Sequence, residues 1–198
     1  MIQTRSLALL VLSGLWFFAS VRPGAASAGA LSLNLDPAKS TVRFTLGATL
    51  HTVNGTFAFK QGTIRFDPST GQADGDVVID LASGQSGDAK RDARMRSDVL
   101  EVQTYPYAVF HASRVVGRLA DGSSGQLDVE GVLSIHGGQH PTTLHVAVDE
   151  TKDGSMTART HFSVPYVQWG MKDPSTFFLR VGKTVDIDVT AVGQEHQS

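Results

Sequence analysis

Cysteine is absent from this 198-residue chain. That excludes a disulfide framework, a thiolate nucleophile and a lipid anchor carried on cysteine. A strong excess of one charge is also missing, with 17 Lys and Arg against 19 Asp and Glu. Such a balance gives no electrostatic footprint for nucleic acid, and it argues against steady binding to anionic lipid headgroups. Catalytic signatures are missing too. No Gly-x-Ser-x-Gly elbow occurs, and no serine and histidine are spaced as a triad. Gly182-Lys183-Thr184 matches the end of a phosphate loop, but Phe177 stands where its first glycine belongs and the context is a strand. The sequence predicts no enzyme and no cofactor.

A long apolar run occurs only near the start. Arg5 precedes the apolar segment Leu7 to Ala19, and small residues follow through Ala26-Ser27-Ala28. This order predicts a secretory signal peptide over residues 1–28, because the run is shorter than the roughly 20 residues a spanning helix needs. Its removal takes away Arg5 and Arg22 and no acidic residue, leaving fifteen basic against nineteen acidic side chains. The expected location is therefore periplasmic or secreted. An exported chain without disulfides must hold its fold by burial and sheet pairing alone.

Past Leu31 the dominant signal is alternation. Val42, Phe44 and Leu46 alternate with Thr41, Arg43 and Thr45, and Leu127, Val129, Gly131, Leu133 and Ile135 alternate with a polar set. Period two with one polar face indicates half-buried antiparallel strands. Turn residues separate about eight of them, at Asp67-Pro68 to Gly71, Asp74-Gly75, Asp121-Gly122, Gly137-Gly138 and Asp153-Gly154. One stretch departs from the pattern. Ser86 as N-cap, followed by good helix formers with Met95, Val99 and Val102 on one side, predicts a helix from Asp88 to Leu100.

The stretch "LHTVNGTFAFKQGTIRFD", Leu50 to Asp67, offers two turn dipeptides. A turn at Gln61-Gly62 places Phe59 opposite Ile64 and Phe57 opposite Phe66, all on one face, whereas a turn at Asn54-Gly55 mixes the faces. The pattern therefore predicts a hairpin at Gln61-Gly62. Gly55 then sits inside a strand with Val53, Phe57 and Phe59, where a glycine marks a bend or a close approach to the backbone.

Parity gives an inward set of Phe44, Leu46, Val53, Phe57, Phe59, Ile64, Phe66, Val77, Ile79, Leu133, Ile135, Leu144, Val146, Phe162 and Ile187. It is aromatic-rich and uncharged. It fits either a solid core or the lining of an eight-stranded barrel, whose interior is just wide enough for side chains or one small ligand. His136, His140 and His145 flank one turn, and His136 and His145 are expected to point outward and to approach each other across a hairpin. With no cysteine or evident carboxylate to complete a metal site, they read as an exposed polar face.

The ordered segments "LDPAKSTVRF", "HTVNGTF", "GTIRFDP", "RDARMRSDVLEVQTYP", "GVLSIHGGQHPTTLHV" and "VGKTVDIDVTAVG" together resemble the YceI-like, polyisoprenoid-binding family. Two departures stand out. Arg94 occupies a position where many members carry histidine, and "FSVPYVQWGMKDPSTFFLRV" replaces a commoner Asp-Phe-Gly stretch. The resemblance implies an all-β, lipocalin-like eight-stranded antiparallel β-barrel with one inserted α-helix, spanning 31–193, with 194–198 as a C-terminal tail. It implies an interior holding a polyisoprenoid, an isoprenoid quinone, or a fatty acid or its amide, without catalysis. A membrane cytochrome of the b561 type is the implied partner, and a homodimer is a candidate assembly.

On this reading the expected ligand-binding residues are Phe44, Leu46, Val53, Phe57, Phe59, Phe66, Ile79, Met95, Leu133, Ile135, Val146, Phe162 and Trp169. Met95 and Val99 are the expected lid. His51 is either a headgroup contact or a bond to loop backbone, and Trp169 either plugs the barrel end or lines a mouth. Arg91 and Asp92 are expected to anchor the helix, and Tyr105 before Pro106 to lock its exit. The alternative is an interaction module with a filled barrel that docks a membrane partner through Tyr166 to Phe178.

Overall fold

The computed structural model describes residues 31–49, 51–117, 119, 124–150 and 154–197. The signal-peptide reading of residues 1–28 and the turn at Asp121-Gly122 lie outside the described residues. Nine strand segments are present: β1 (Leu31–Leu35), β2 (Thr41–Gly47), β3 (Thr52–Phe66), β4 (Gln72–Gln85), β5 (Tyr107–Gly117), β6 (Ser124–Ile135), β7 (Gly138–Glu150), β8 (Ser155–Val164) and β9 (Val185–Gln197). Helix α1 (Ala89–Arg94) runs directly into a π-helical turn, Met95–Val99.

All pairings are antiparallel and the sheet closes through β3 and β4. The segments β1 and β2 share one position, because both lie between β3 and β9 in succession. The result is an eight-position closed barrel, as the resemblance implies. The break between β1 and β2 follows from Pro37, which has no N–H to give a ladder. Ser40 repairs it: its hydroxyl donates to the Asp36 carbonyl at 2.7 Å and accepts from Val192 N at 3.0 Å.

Several sequence expectations are corrected, among them the turn read at Asp74-Gly75, which lies within β4. First, there is no hairpin at Gln61-Gly62. β3 runs unbroken through it, and Phe59 faces Ile79 while Ile64 faces Gly75 across β4. In an uninterrupted strand Phe57 and Phe59 would face opposite to Ile64. Either a turn or an extra residue can reverse that parity. The structure uses the extra residue: the register slips between Phe59/Ile79 and Gln61/Val78, and Lys60 and Gln61 are both exposed. Such a bulge bends and twists a strand where a barrel must curve. The connections that flank β3 lie instead between Gly47 and Thr52 and at Asp67–Gly71, and Asn54-Gly55 does lie within the strand.

Second, the β6–β7 turn is His136-Gly137, not Gly137-Gly138. Ile135 pairs with Gly138, and both turn residues have positive φ, 50° and 74°, as a two-residue hairpin of this hand requires. Third, 194–197 is no tail. Its backbone continues β9 and pairs with β1, Gln194 against Asn34 and Gln197 against Leu31.

The predicted helix spans the expected length, but its N-cap is Asp88 rather than Ser86. The Asp88 carboxylate accepts from Lys90 N at 3.0 Å and Arg91 N at 2.9 Å. The Arg91 contact, followed by the Lys90 contact, holds its pKa below the usual carboxylate value. Because strands alternate in direction, the β2–β3 turn, the helical segment, the β6–β7 turn and the long 165–184 connection all emerge at one barrel end. The β3–β4 turn closes the opposite end.

Candidate functional site

The barrel interior is a cavity of about 590 Å³, inside the 300–1,000 Å³ range of small-molecule sites. Its wall explains why it is not a solid core. Inward-pointing Phe57, Ile79, Leu144, Phe162 and Ile187 are only half-buried although they face the barrel axis, and among the described residues no large side chain falls below 2% exposure. The strands leave more room than their own side chains fill.

Eleven of the thirteen expected ligand-binding residues line this space: Phe44, Leu46, Val53, Phe57, Phe59, Ile79, Met95, Leu133, Ile135, Val146 and Phe162. Two do not. Phe66 sits at the far end of β3 opposite Leu31 and Ala73. Trp169 lies flat on His140, with ring centroids 3.7 Å apart and planes at 6°, and packs against the apolar cluster around Leu133 and Tyr166 without lining the cavity.

Sequence parity missed several lining residues. Leu81, Phe110, Val129, Val185 and Val189 belong to the wall, and their alternation within β4, β5, β6 and β9 was the available signal. Leu100, Tyr166, Met171, Leu179 and Val181 also line it but come from non-strand connections, where period two carries no information. The wall contributed by strands is uncharged, and its single polar side chain among the described residues is Thr160, whose hydroxyl is buried without a hydrogen-bond partner.

Charge enters only at the end where the helix sits. Lys90, Arg91, Arg94, Asp98 and Lys172 border the cavity there, with His51 beside them. Lys172 lies 3.7 Å from Asp98, tying the 165–184 connection to the helical segment. The Ser97 hydroxyl, and secondarily Lys172, lower the pKa of Asp98. Met95 and Val99 reach the cavity from above, consistent with a lid that must cover apolar surface.

Arg91 and Asp92 hold this lid at its base. Asp92 is 7% exposed and accepts from Ser86 N at 2.9 Å and from the Ser86 hydroxyl. Arg91 donates through Nε to Ser86 Oγ at 2.7 Å and through Nη2 to Ser86 O at 2.8 Å. Both therefore bind the helix to the end of β4, the anchoring role expected of them. Tyr105 packs its ring at 4.7 Å from His136 and donates its backbone N–H to Glu101 O at 2.9 Å, fixing the helix exit.

Tyr166 fixes the other connection. It is 4% exposed, and its hydroxyl donates to Gly182 O at 2.7 Å, closing the base of the long loop. Burial, aided by Asp173, pushes its pKa up to about 12.

The histidines do not gather. His145 lies opposite Asp128 in the β6–β7 ladder, far along β6 from His136, and bonds its carboxylate at 2.6 Å. His136 is not exposed as expected: it is turned against Tyr105, with Nε2 3.5 Å from Glu101. His140 is half-buried under Trp169. Two further pairs repeat the His145 arrangement on the outer face, His111–Asp76 at 2.8 Å and His161–Asp188 at 2.9 Å. Carboxylates do neighbour the histidines, contrary to the expectation from sequence: Asp76, Asp128 and Asp188 each make a cross-strand pair, and Glu101 meets His136 from the helix exit. Among the described residues no cluster of three or more potential metal ligands converges.

A closed antiparallel barrel with an apolar lumen and a lidded mouth is a lipocalin-like architecture. The YceI-like domain model matches residues 33–192, and the chain belongs to that family. It is 30% identical to a UPF0312 protein of Vibrio cholerae over 126 residues, 62% of this chain and 65% of that protein. A UPF0312 protein of Vibrio parahaemolyticus is 34% identical over 94 residues, 46% of this chain and 48% of that protein. The matched part thus spans about 65% of the length of the first of these relatives.

Among solved structures, Burkholderia cenocepacia BcnA superposes with a TM-score of 0.65 at 23% identity, covering 80% of this chain and 98% of that one. A polyisoprenoid binding domain from Saccharophagus degradans, implicated in plant cell wall breakdown, gives 0.65 at 22% identity, covering 82% and 97%. The Campylobacter jejuni YceI protein gives 0.57 at 18% identity, covering 76% and 87%. At these identities the likeness is one of fold.

Proposed function

We propose that this protein is an exported, non-catalytic carrier that holds one long apolar chain in its barrel. The candidates are a polyisoprenoid, an isoprenoid quinone, and a fatty acid or its amide. The observation that carries the reading is the unfilled apolar lumen of about 590 Å³, uncharged along its strands and ringed by polar side chains only at the lidded end. A chain would lie among Phe44, Phe57, Leu133 and Phe162, with its polar end toward Lys90, Arg94 and Lys172. Family membership supports a lipid as cargo. The N-terminal apolar segment supports a periplasmic or secreted location, and the family resemblance makes a membrane b561-type cytochrome a candidate recipient.

The energetics fit. Burying roughly 20 carbons at about 0.8 kcal/mol each gives about 16 kcal/mol, against association and ordering costs on the order of 4–15 kcal/mol. Apolar burial alone can therefore hold such a ligand. Native mass spectrometry and solvent extraction of mildly purified protein are expected to reveal a bound chain. A protein that comes without one, and takes up none from added prenols, quinones or fatty acids, would overturn the reading.

A further inference from the structure

Two aromatic rings stand out from the whole of the described surface. Phe177 is 86% and Phe178 88% exposed, while the next most exposed large apolar side chains are Val116 at 43% and Tyr107 at 39%. The two rings meet edge to face, 5.0 Å apart at 84°. They cover nothing in the fold, and an exposed apolar feature of this kind marks an interaction site.

The segment that presents them is held firmly. Thr176 N donates to Leu179 O at 2.8 Å, closing a tight turn with the rings at its tip. Below the tip, Thr49 N donates to Arg180 O at 2.9 Å, Arg180 N to Thr49 Oγ1 at 3.1 Å, and Gly182 N to Gly47 O at 2.7 Å. The loop is thereby zipped to the β2–β3 turn, and Tyr166 ties its base. Pro174, Leu179 and Val181, on either side of the tip, line the cavity. The rings therefore stand at the rim of the mouth.

Charge on the loop selects the partner. Arg180 and Lys183 flank the rings against Asp173, the loop's one acid, while Lys172 is paired with Asp98 of the helical segment. The chain as a whole is slightly acidic, so this local cationic collar reverses what net charge alone implies about anionic headgroups. Paired rings on a convex tip with a basic collar fit a lipid interface, where aromatics sit at headgroup depth and cations meet anionic lipid.

We propose that Phe177 and Phe178 insert into the surface of an anionic bilayer, docking the barrel with its mouth against the membrane. An apolar chain could then pass between bilayer and lumen with little exposure to water. The docking goes beyond the carrier reading and does not require it.

Because the chain has no cysteine, a single introduced thiol reports one place. In the full-length protein, Phe177→Cys carrying an environment-sensitive nitrobenzoxadiazole label is mixed with phosphatidylcholine vesicles with or without phosphatidylglycerol. With the anionic lipid its emission is expected to shift to the blue and to be quenched by nitroxide lipids. A label on Pro68→Cys, at the opposite barrel end, is expected to stay silent. Adding Arg180→Gln and Lys183→Gln should weaken the tip response by roughly fivefold for each lost cation. A silent tip, an equal response to pure phosphatidylcholine, or an equal response at Pro68 each overturns the proposal. Uptake of added prenols, quinones and fluorescent fatty acid without vesicles is read separately: insertion with uptake of none of them removes the carrier reading and leaves the docking, and uptake without insertion does the reverse.

Discussion

Phe44 and Gly55 are directly opposed across β2 and β3, and a Cβ on Gly55 would lie 2.3 Å from Phe44 Cζ and 2.3 Å from Gln85 O. The Phe44 ring, itself 5.2 Å from that of Phe57, occupies the space a side chain would need. Replacing Gly55 must push the ring into the lumen or spread β3 from β4. Gly55→Ala is expected to lower stability by about 1–3 kcal/mol in urea unfolding. Gly47→Ala, where a Cβ meets nothing within 4 Å, is expected to leave the midpoint nearly unchanged. Equal midpoints for the two variants would refute the packing argument.

A second prediction concerns the lumen. Leu133 points into it from β6, so Leu133→Trp adds bulk to a space that a guest would otherwise fill. If the lumen is a binding site, uptake of a fluorescent fatty acid should fall by about tenfold or more, while the unfolding midpoint moves by less than the roughly 1–3 kcal/mol of an overpacked solid core. Undiminished uptake would place the guest elsewhere.

The third follows from Tyr166. In Tyr166→Phe the bond to Gly182 O is lost, at about 1 kcal/mol of stability, and the mouth loop loosens. An unfolded tyrosine ionises near about 10, whereas Tyr166 holds its proton to about 12. The folded state therefore binds more protons between these values. Its contribution is complete below about pH 10 and is lost as pH rises through about 12. A phenolate absorbance step near that upper value should be present in the parent protein and missing from the variant, and the alkaline loss of stability should be shallower in the variant. An identical high-pH titration in both proteins would mean that another group is responsible.

Much of the wall was legible because a strand's side chains alternate whatever the strand pairs with. Phe44 on β2, Val53 on β3, Leu133 on β6 and Val146 on β7 could be assigned to the interior from neighbours two residues away. The helix was legible for a similar local reason, and the anchoring role of Arg91 and Asp92 through the family resemblance. The stretch from Phe57 to Phe66 shows the limit. Its parity reverses once, and a turn and a bulge are equally good local solutions. Only the pairing of β3 with β4 on one edge and with β1 and β2 on the other selected the bulge at Lys60-Gln61. The same holds for His140 and Trp169, which are 29 positions apart in sequence and stack because two connections emerge at one barrel end.

Sequence alone thus determined the strand-rich architecture, the inward apolar set and the absence of charge within it, since each rests on contacts between near neighbours or on residue type. The tertiary structure decided that the wall encloses open space, that Phe66 and Trp169 lie off it, and that Phe177 and Phe178 project at its rim. A lumen's width depends on how many strands close the ring and how they bend, and those are properties of the assembled sheet that no local stretch of the chain encodes.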